Sequence, residues 1–223
     1  MSALYCCERA GPEHTEGLLA LFESAGTGCF CNYWHFEGDK NAWLERCYVH
    51  TEQNRAALVE RLSAPELCGV VALAQTGGAL CGWLKLARAT ALPRLYQQRV
   101  YRNLPCFVAA SGDRETTYTV GCCYVLETQR GQGVARALLS AAIEAVRAAG
   151  GSALEAFPRG APAEGGGAAV RSSEGGGAAR SRQGAERLRP DEIWMGPESV
   201  FLQAGFAKVS DFRPYPVLRL HLR

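Results

Sequence analysis

The sequence predicts a mixed α/β fold in a single domain spanning residues 1–223. Three observations lead there. Thr117 to Val125 is a β-branched, aromatic and cysteine run without proline, which suits a largely buried strand. It leads through a glycine loop, Arg130-Gly131-Gln132-Gly133-Val134-Ala135, into a segment of helical period with Leu139, Ile143 and Val146 on one stripe. Two further apolar runs, Gly69 to Ala74 and Ala79 to Ala87, flank Gln75-Thr76-Gly77-Gly78 and read as a β-hairpin.

The other elements follow in chain order. Ala3 to Arg9 reads as a first strand, and Pro12 opens a first helix carried by Leu18, Leu19, Leu21 and Phe22 to about Gly26. Cys29 to Phe36 is unusually aromatic for a loop. A second helix is expected from Asn41 to Leu62, with a break near Thr51. Leu92 to Asn103 is a basic, aromatic connection carrying Arg94, Arg99 and Arg102, read either as a solvated face or as a patch for an acidic substrate. Gly150-Gly151 ends the helix that began at Val134, and Ala153 to Phe157 is the next strand. Pro197 starts a short helix, Glu198 to Ala204, capped by Gly205. Phe206 to Ser210 and Pro216 to Leu222 are the last strands. The final one alternates Val217, Arg219 and His221 with Leu218, Leu220 and Leu222, as a strand with one buried face does.

Residues 158–190 differ in kind. EGGGAA occurs twice, at Glu164 to Ala169 and Glu174 to Ala179, among scattered Arg and Ser. Such sequence buries too little apolar surface to offset its conformational entropy, so a flexible insertion is expected, with a lid over the substrate as one role for it.

Charge excludes some partners. The 24 basic residues nearly balance 22 acidic ones, which leaves no electrostatic case for nucleic acid or membrane binding. No apolar stretch approaches 18 residues and no signal-peptide core is present, so a cytoplasmic location is expected. The 10 cysteines fall mostly inside apolar runs, where a reduced thiol behaves as a small hydrophobe. Cys29-x-Cys31, with Cys47, His35 or His50, is the one arrangement that resembles a zinc set. No C-x2-C pair supports it, and no metal is expected.

The glycine loop carries the chemistry. The first N–H groups of a helix lack intrahelical acceptors and its dipole adds positive charge there, so a strand, glycine loop and helix in this order make an anion site. A Walker loop is excluded, because no Gly-Lys-Ser/Thr follows. Gly131 and Gly133 fit the start of a dinucleotide loop, but its third glycine is Arg136 here. Glu155 stands where a ribose-binding carboxylate belongs, which keeps a nicotinamide- or flavin-binding oxidoreductase as an alternative.

Arg130-x-x-Gly133-x-Ala135 resembles the R/Q-x-x-G-x-G/A loop of the GCN5-related N-acetyltransferases, the GNAT superfamily. Phe201-Leu202-Gln203-Ala204-Gly205-Phe206 is similar to that family's Y/F-x-x-x-G-F segment. Glu155-Ala156-Phe157-Pro158, the Cys29-x-Cys31-x-x-Trp34 loop and the Arg213 to Leu220 ending look like a widespread, poorly characterised bacterial branch. The element order matches along nearly the whole chain.

The resemblance implies a mostly antiparallel central sheet, flanked by helices on both faces and splayed at an acetyl-CoA site. It implies an acyltransferase with acetyl-CoA as cosubstrate, moving an acetyl group to a primary amine of a small molecule or peptide by direct attack in a ternary complex. Backbone amides of Val125, Leu126 and Glu127 would pair with the pantetheine arm and the thioester carbonyl, stabilising the oxyanion that forms as the amine attacks. Amides of Arg130, Gly131, Gln132, Gly133, Val134 and Ala135 would cradle the pyrophosphate. Tyr33 and Trp34 would line the acceptor pocket, and Glu155 is the candidate general base. The assembly state, monomer or homodimer, stays open.

Two positions depart from the family pattern. Phe201 stands where many members carry a proton-donating Tyr, and Trp194 where an Asn is common. The general acid is therefore unassigned among water, Ser199 and Cys123, and a non-catalytic CoA-binding module is a further alternative.

Overall fold

Tyr5–Arg9 (β1) opens a seven-stranded sheet in the computed structural model, which describes residues 5–109, 114–160, 194–213 and 215–222. Gly69–Ala74 (β2) runs antiparallel to β1, and Leu80–Arg88 (β3) returns beside β2 as the hairpin expected from Gly77 and Gly78. Thr117–Val125 (β4) lies antiparallel to β3, with Gly82 opposite Val125. Ala153–Ala156 (β5) then pairs parallel with β4. Ala207–Ser210 (β6) and Val217–His221 (β7) complete the order β1-β2-β3-β4-β5-β7-β6.

One irregularity positions the site. The parallel pairing joins only Thr117, Tyr118 and Thr119 to Ala153, Leu154 and Glu155, while β4 continues to Val125. Below Glu155 the two strands therefore separate, and the lower edge of β4 faces a gap.

Strand alternation divides the apolar residues between two faces. Val70, Ala72, Leu84, Leu86, Val120 and Leu154 pack under Val134–Ala148 (α6), which buries Val134, Leu138, Leu139, Ala142 and Val146. Leu138 and Ala142 complete the stripe that Leu139 and Val146 announce, while Ile143 is only partly buried. Thr15–Ser24 (α1) and Thr51–Ser63 (α3) cover the other face, where Leu18, Phe22, Leu58 and Leu62 meet Val71 and Trp83.

The expected Asn41–Leu62 helix is two helices, Lys40–Tyr48 (α2) and α3, separated at Val49-His50. Asp39 caps α2 by accepting from the Ala42 N–H at 2.9 Å. The C-terminal end of α2 presses on the aromatic loop: a Cβ at Gly28 would lie 1.8 Å from the Cys47 carbonyl oxygen. The basic connection contains Pro93–Tyr96 (α4) and is followed by Pro105–Ala109 (α5), with Leu92, Leu95, Tyr96 and Tyr101 buried against Phe107 and Phe157. Glu198–Gln203 (α7) follows Pro197 as expected. In β7 both Val217 and Leu218 are buried and both Arg219 and Leu220 are half-buried, so the expected alternation shows only at His221 and Leu222. Most of the insertion, from residue 161, lies outside the described residues, as does the start of the first strand at Ala3.

Candidate active site

The glycine loop sits at the open end of the β4–β5 gap. Gly131 and Gly133 have φ of 75° and 88° with open space where a Cβ would be, a conformation that costs other L-residues about 1 to 2 kcal/mol. The N–H groups of Gly131, Gln132, Gly133, Val134 and Ala135 have no hydrogen-bond partner among the described residues, whereas Arg136 and Ala137 already donate to the Gly133 carbonyl. Five successive amides at a helix N-terminus thus remain available to an anion.

Side chains brace this loop. Arg130 Nε donates to the Val125 carbonyl at 3.1 Å, and Gln132 Nε2 to the Thr128 carbonyl at 2.9 Å. The Tyr5 hydroxyl lies 3.0 Å from the side-chain oxygens of both Gln129 and Gln132. Val134 is buried and turns α6 onto β3, where a Cβ at Gly82 would meet Val134 and Leu138 at 3.0 Å.

Val125, Leu126 and Glu127 differ in what they offer. The Leu126 N–H donates to the Cys81 carbonyl at 2.9 Å, so this amide is spent on the sheet and not open to a ligand. Alternation then turns the Val125 and Cys123 N–H groups to the opposite edge, toward the gap. Cys123 donates there to the Trp194 carbonyl at 2.8 Å. Glu127 begins an exposed 3-10 turn, Glu127–Gln129.

Glu155 is the last residue paired between β4 and β5, and its side chain is deeply buried. Arg219, opposite it on β7, donates from Nε at 2.8 Å and also from Nη2 to the same carboxylate oxygen. The Tyr96 hydroxyl donates to the other oxygen and lies 2.6 Å from Thr119 Oγ1. Burial and the adjacent Glu155 charge push the Tyr96 hydroxyl well above its ordinary pKa. Both carboxylate oxygens are therefore occupied. Tyr96, Thr119 and Arg219 carry no motif that marks this network; the register of β4, β5 and β7, with Tyr96 supplied from α4, assembles it.

A cavity of about 200 Å³ lies beside the gap. Its walls are aromatic: Tyr33 and Trp34 from the loop before α2, Tyr101 and Phe157, and Trp194 and Tyr215 from beyond the insertion. Trp34 donates its indole N–H to the Gly121 carbonyl at 3.2 Å, which ties this wall to β4. A wider groove of about 830 Å³ shares Tyr33, Trp34 and Gln98 with the cavity and adds His35, Glu37 and Arg94.

The loop that presents Tyr33 and Trp34 is held under strain. Phe30 and Cys31 have φ of 40° and 53°, a region that costs non-glycine residues about 1 to 3 kcal/mol each. Buried side chains hold it there. Asn54 Nδ2 donates to the Gly28 carbonyl at 2.8 Å, Asn32 Nδ2 to the Asn54 carbonyl at 2.6 Å, and Lys85 Nζ to the Cys31 carbonyl at 2.5 Å. Burial and the nearby Arg61 push Lys85 down to about 8. Burial, Lys85 and Arg61 push His35 down to about 2, so it stays neutral at working pH. Cys29, Cys31 and Cys47 are free thiols, and burial pushes the Cys123 thiol up to about 12. Among the described residues no group of His, Cys, Asp or Glu is arranged to hold a metal, and no helix is long and apolar enough to cross a membrane.

A partly opened sheet with a glycine loop at a helix N-terminus and a flanking cavity is the arrangement of an enzyme that binds a phosphorylated, extended cosubstrate. The acetyltransferase (GNAT) family model matches residues 42–163, more than half of the chain, and the protein belongs to that family. The fold is similar to that of the PaiA N-acetyltransferase from Thermoplasma acidophilum in complex with coenzyme A, with TM-score 0.51, 10% identity and coverage of 99% of each chain. A GCN5-related N-acetyltransferase from Kribbella flavida aligns with TM-score 0.48 and 15% identity over 98% of each chain. No curated protein matches the sequence.

Proposed function

We propose that this protein transfers an acetyl group from acetyl-CoA to a primary amine by direct attack in a ternary complex. The observation that carries this reading is the run of five unpartnered amides, Gly131 to Ala135, at the end of a gap bordered by the part of β4 that does not pair with β5. In this reading those amides and Arg130 take the pyrophosphate, and the pantetheine arm lies along β4 where β5 has departed. The Val125 N–H, turned into the gap, donates to the thioester carbonyl and gains strength as that oxygen becomes an oxyanion. Glu127 borders the arm at the strand end. Leu126 contributes through its position rather than its amide.

The amine enters over Tyr33 and Trp34. Glu155 acts as a positioning residue: its carboxylate, neutralised by Arg219, holds Tyr96 and Thr119 at the point where the strands part. That occupation also counts against a dinucleotide reading, which would need Glu155 to meet a ribose. Phe201 is buried against Phe206 and has no proton to give. Cys123 is a poor donor, since a thiol near 12 cannot protonate a thiolate of ordinary basicity. That leaves water or the exposed Ser199 as the proton source, or departure of the CoA thiolate without an acid.

Phe201 favours one second reading, a non-catalytic CoA-binding member of the family. Calorimetry with acetyl-CoA and a thiol-release assay over a panel of amines separate the two. Absence of acetyl-CoA binding defeats both, and binding without thiol release from any amine leaves the second.

A further inference from the structure

Arg94 stands in the cleft in a way that the acetyl-transfer reading does not use. Its Nη1 donates to the Phe36 and Gly38 carbonyls at 2.8 and 3.0 Å. Its guanidinium lies 4.6 Å above the Tyr33 ring and 5.5 Å from that of Phe36. The side chain is thus held in place before any ligand arrives, so binding loses little of its rotamer freedom. The Nε and Nη2 groups have no partner among the described residues, and Nε with Nη2 is one edge through which a guanidinium grips a carboxylate in two parallel bonds.

The setting favours an anion there. Arg94 lines the wider groove, whose other ionisable residues are Tyr33, the neutral His35 and Glu37, which is exposed and without an ion pair to Arg94 among the described residues. That groove adjoins the aromatic cavity, with Tyr33, Trp34 and Gln98 in the walls of both. Tyr33 lies between the two ends, its ring 4.6 Å from the Arg94 guanidinium and 6.2 Å from the Trp194 ring.

Resting on the acetyl-transfer reading, we infer that Arg94 is the anion subsite of the acceptor cleft. The acceptor is a primary amine joined, through a flat or apolar segment about one ring long, to a carboxylate. The amine lies in the aromatic cavity next to β4, and the carboxylate lies on Arg94.

The test compares 4-(aminomethyl)benzoate with its carboxamide as acceptors, molecules alike except for the charge at the far end. The acid is expected to show at least about 10-fold higher kcat/KM than the amide, the scale of a charge-assisted hydrogen-bond pair. Arg94→Gln is expected to bring the ratio near one, with folding verified by acetyl-CoA affinity. Equal values for acid and amide in the unmodified protein, which need no variant, overturn the subsite, as does a ratio unaltered in Arg94→Gln. If neither molecule is acetylated, calorimetry on the CoA-loaded protein decides: tighter binding of the acid supports the subsite, while equal binding or none overturns it. Failure to bind acetyl-CoA at all strikes instead at the reading on which this one rests.

Discussion

Trp34 and Trp194 stack with ring centroids 5.5 Å apart and planes 25° from parallel, although they come from opposite ends of the chain. Trp34 is buried and tied to Gly121, whereas Trp194 remains 37% exposed at the cavity mouth. The pair forms one wall of the cavity beside β4.

Trp194→Ala should therefore act on the acceptor and not on the cosubstrate. Its main-chain link to Cys123 survives the substitution, so acetyl-CoA affinity should stay within about two-fold. Losing one aromatic wall should lower acceptor kcat/KM by about 10-fold, the scale of a lost stacking contact. Steady-state kinetics and calorimetry on one preparation check the split, and a parallel loss of both affinities would contradict it.

Gly133→Ala should do the opposite. A Cβ at φ 88° adds about 1 to 2 kcal/mol of strain in the folded loop and reaimed amides lose the anion. Acetyl-CoA binding should weaken by about 10-fold or more in calorimetry, while the melting point of the unliganded protein falls by only a few degrees.

Glu155 separates a positioning role from a base. Glu155→Ala leaves Arg219 buried without its counter-charge, which typically costs 3–5 kcal/mol. Replacing both residues together, as Glu155→Met with Arg219→Met, should recover much of that stability in chemical denaturation. Glu155→Gln should lower kcat without moving the pH midpoint of kcat/KM. Loss of an acidic limb from that profile would make Glu155 the proton acceptor after all.

His35 sets an acid limit on stability. Its folded pKa is near 2 against 6.5 when unfolded, so below pH 6.5 the unfolded chain binds a proton that the folded chain refuses. Stability from this residue is complete above pH 6.5 and falls with decreasing pH, by up to about 1.4 kcal/mol per unit. His35→Asn should flatten the decline in melting temperature between pH 7 and 5. Parallel declines in the two proteins would assign the effect to other groups.

Local chemistry is what the sequence expresses well. The glycines of the 130–135 loop, the β-branched and aromatic run from Thr117 to Val125 and the helical stripe from Val134 each follow from constraints between near neighbours, and so were legible without a structure. The break between α2 and α3 was legible only as a weak point at Thr51, because the contact of the Cys47 carbonyl with Gly28 at the end of α2 involves a distant part of the chain.

By itself, then, the sequence determined the strand, loop and helix order and the family that order resembles, since period, glycine conformation and helix ends depend on residues a few positions apart. Tertiary structure alone decided that Leu126 spends its amide on Cys81, that Glu155 is enclosed by Arg219 and Tyr96, and that Arg94 shares a cleft with Trp194. Those are matters of register between strands and of loops meeting across the sheet, where contact is set by packing and leaves no spacing in the chain to read.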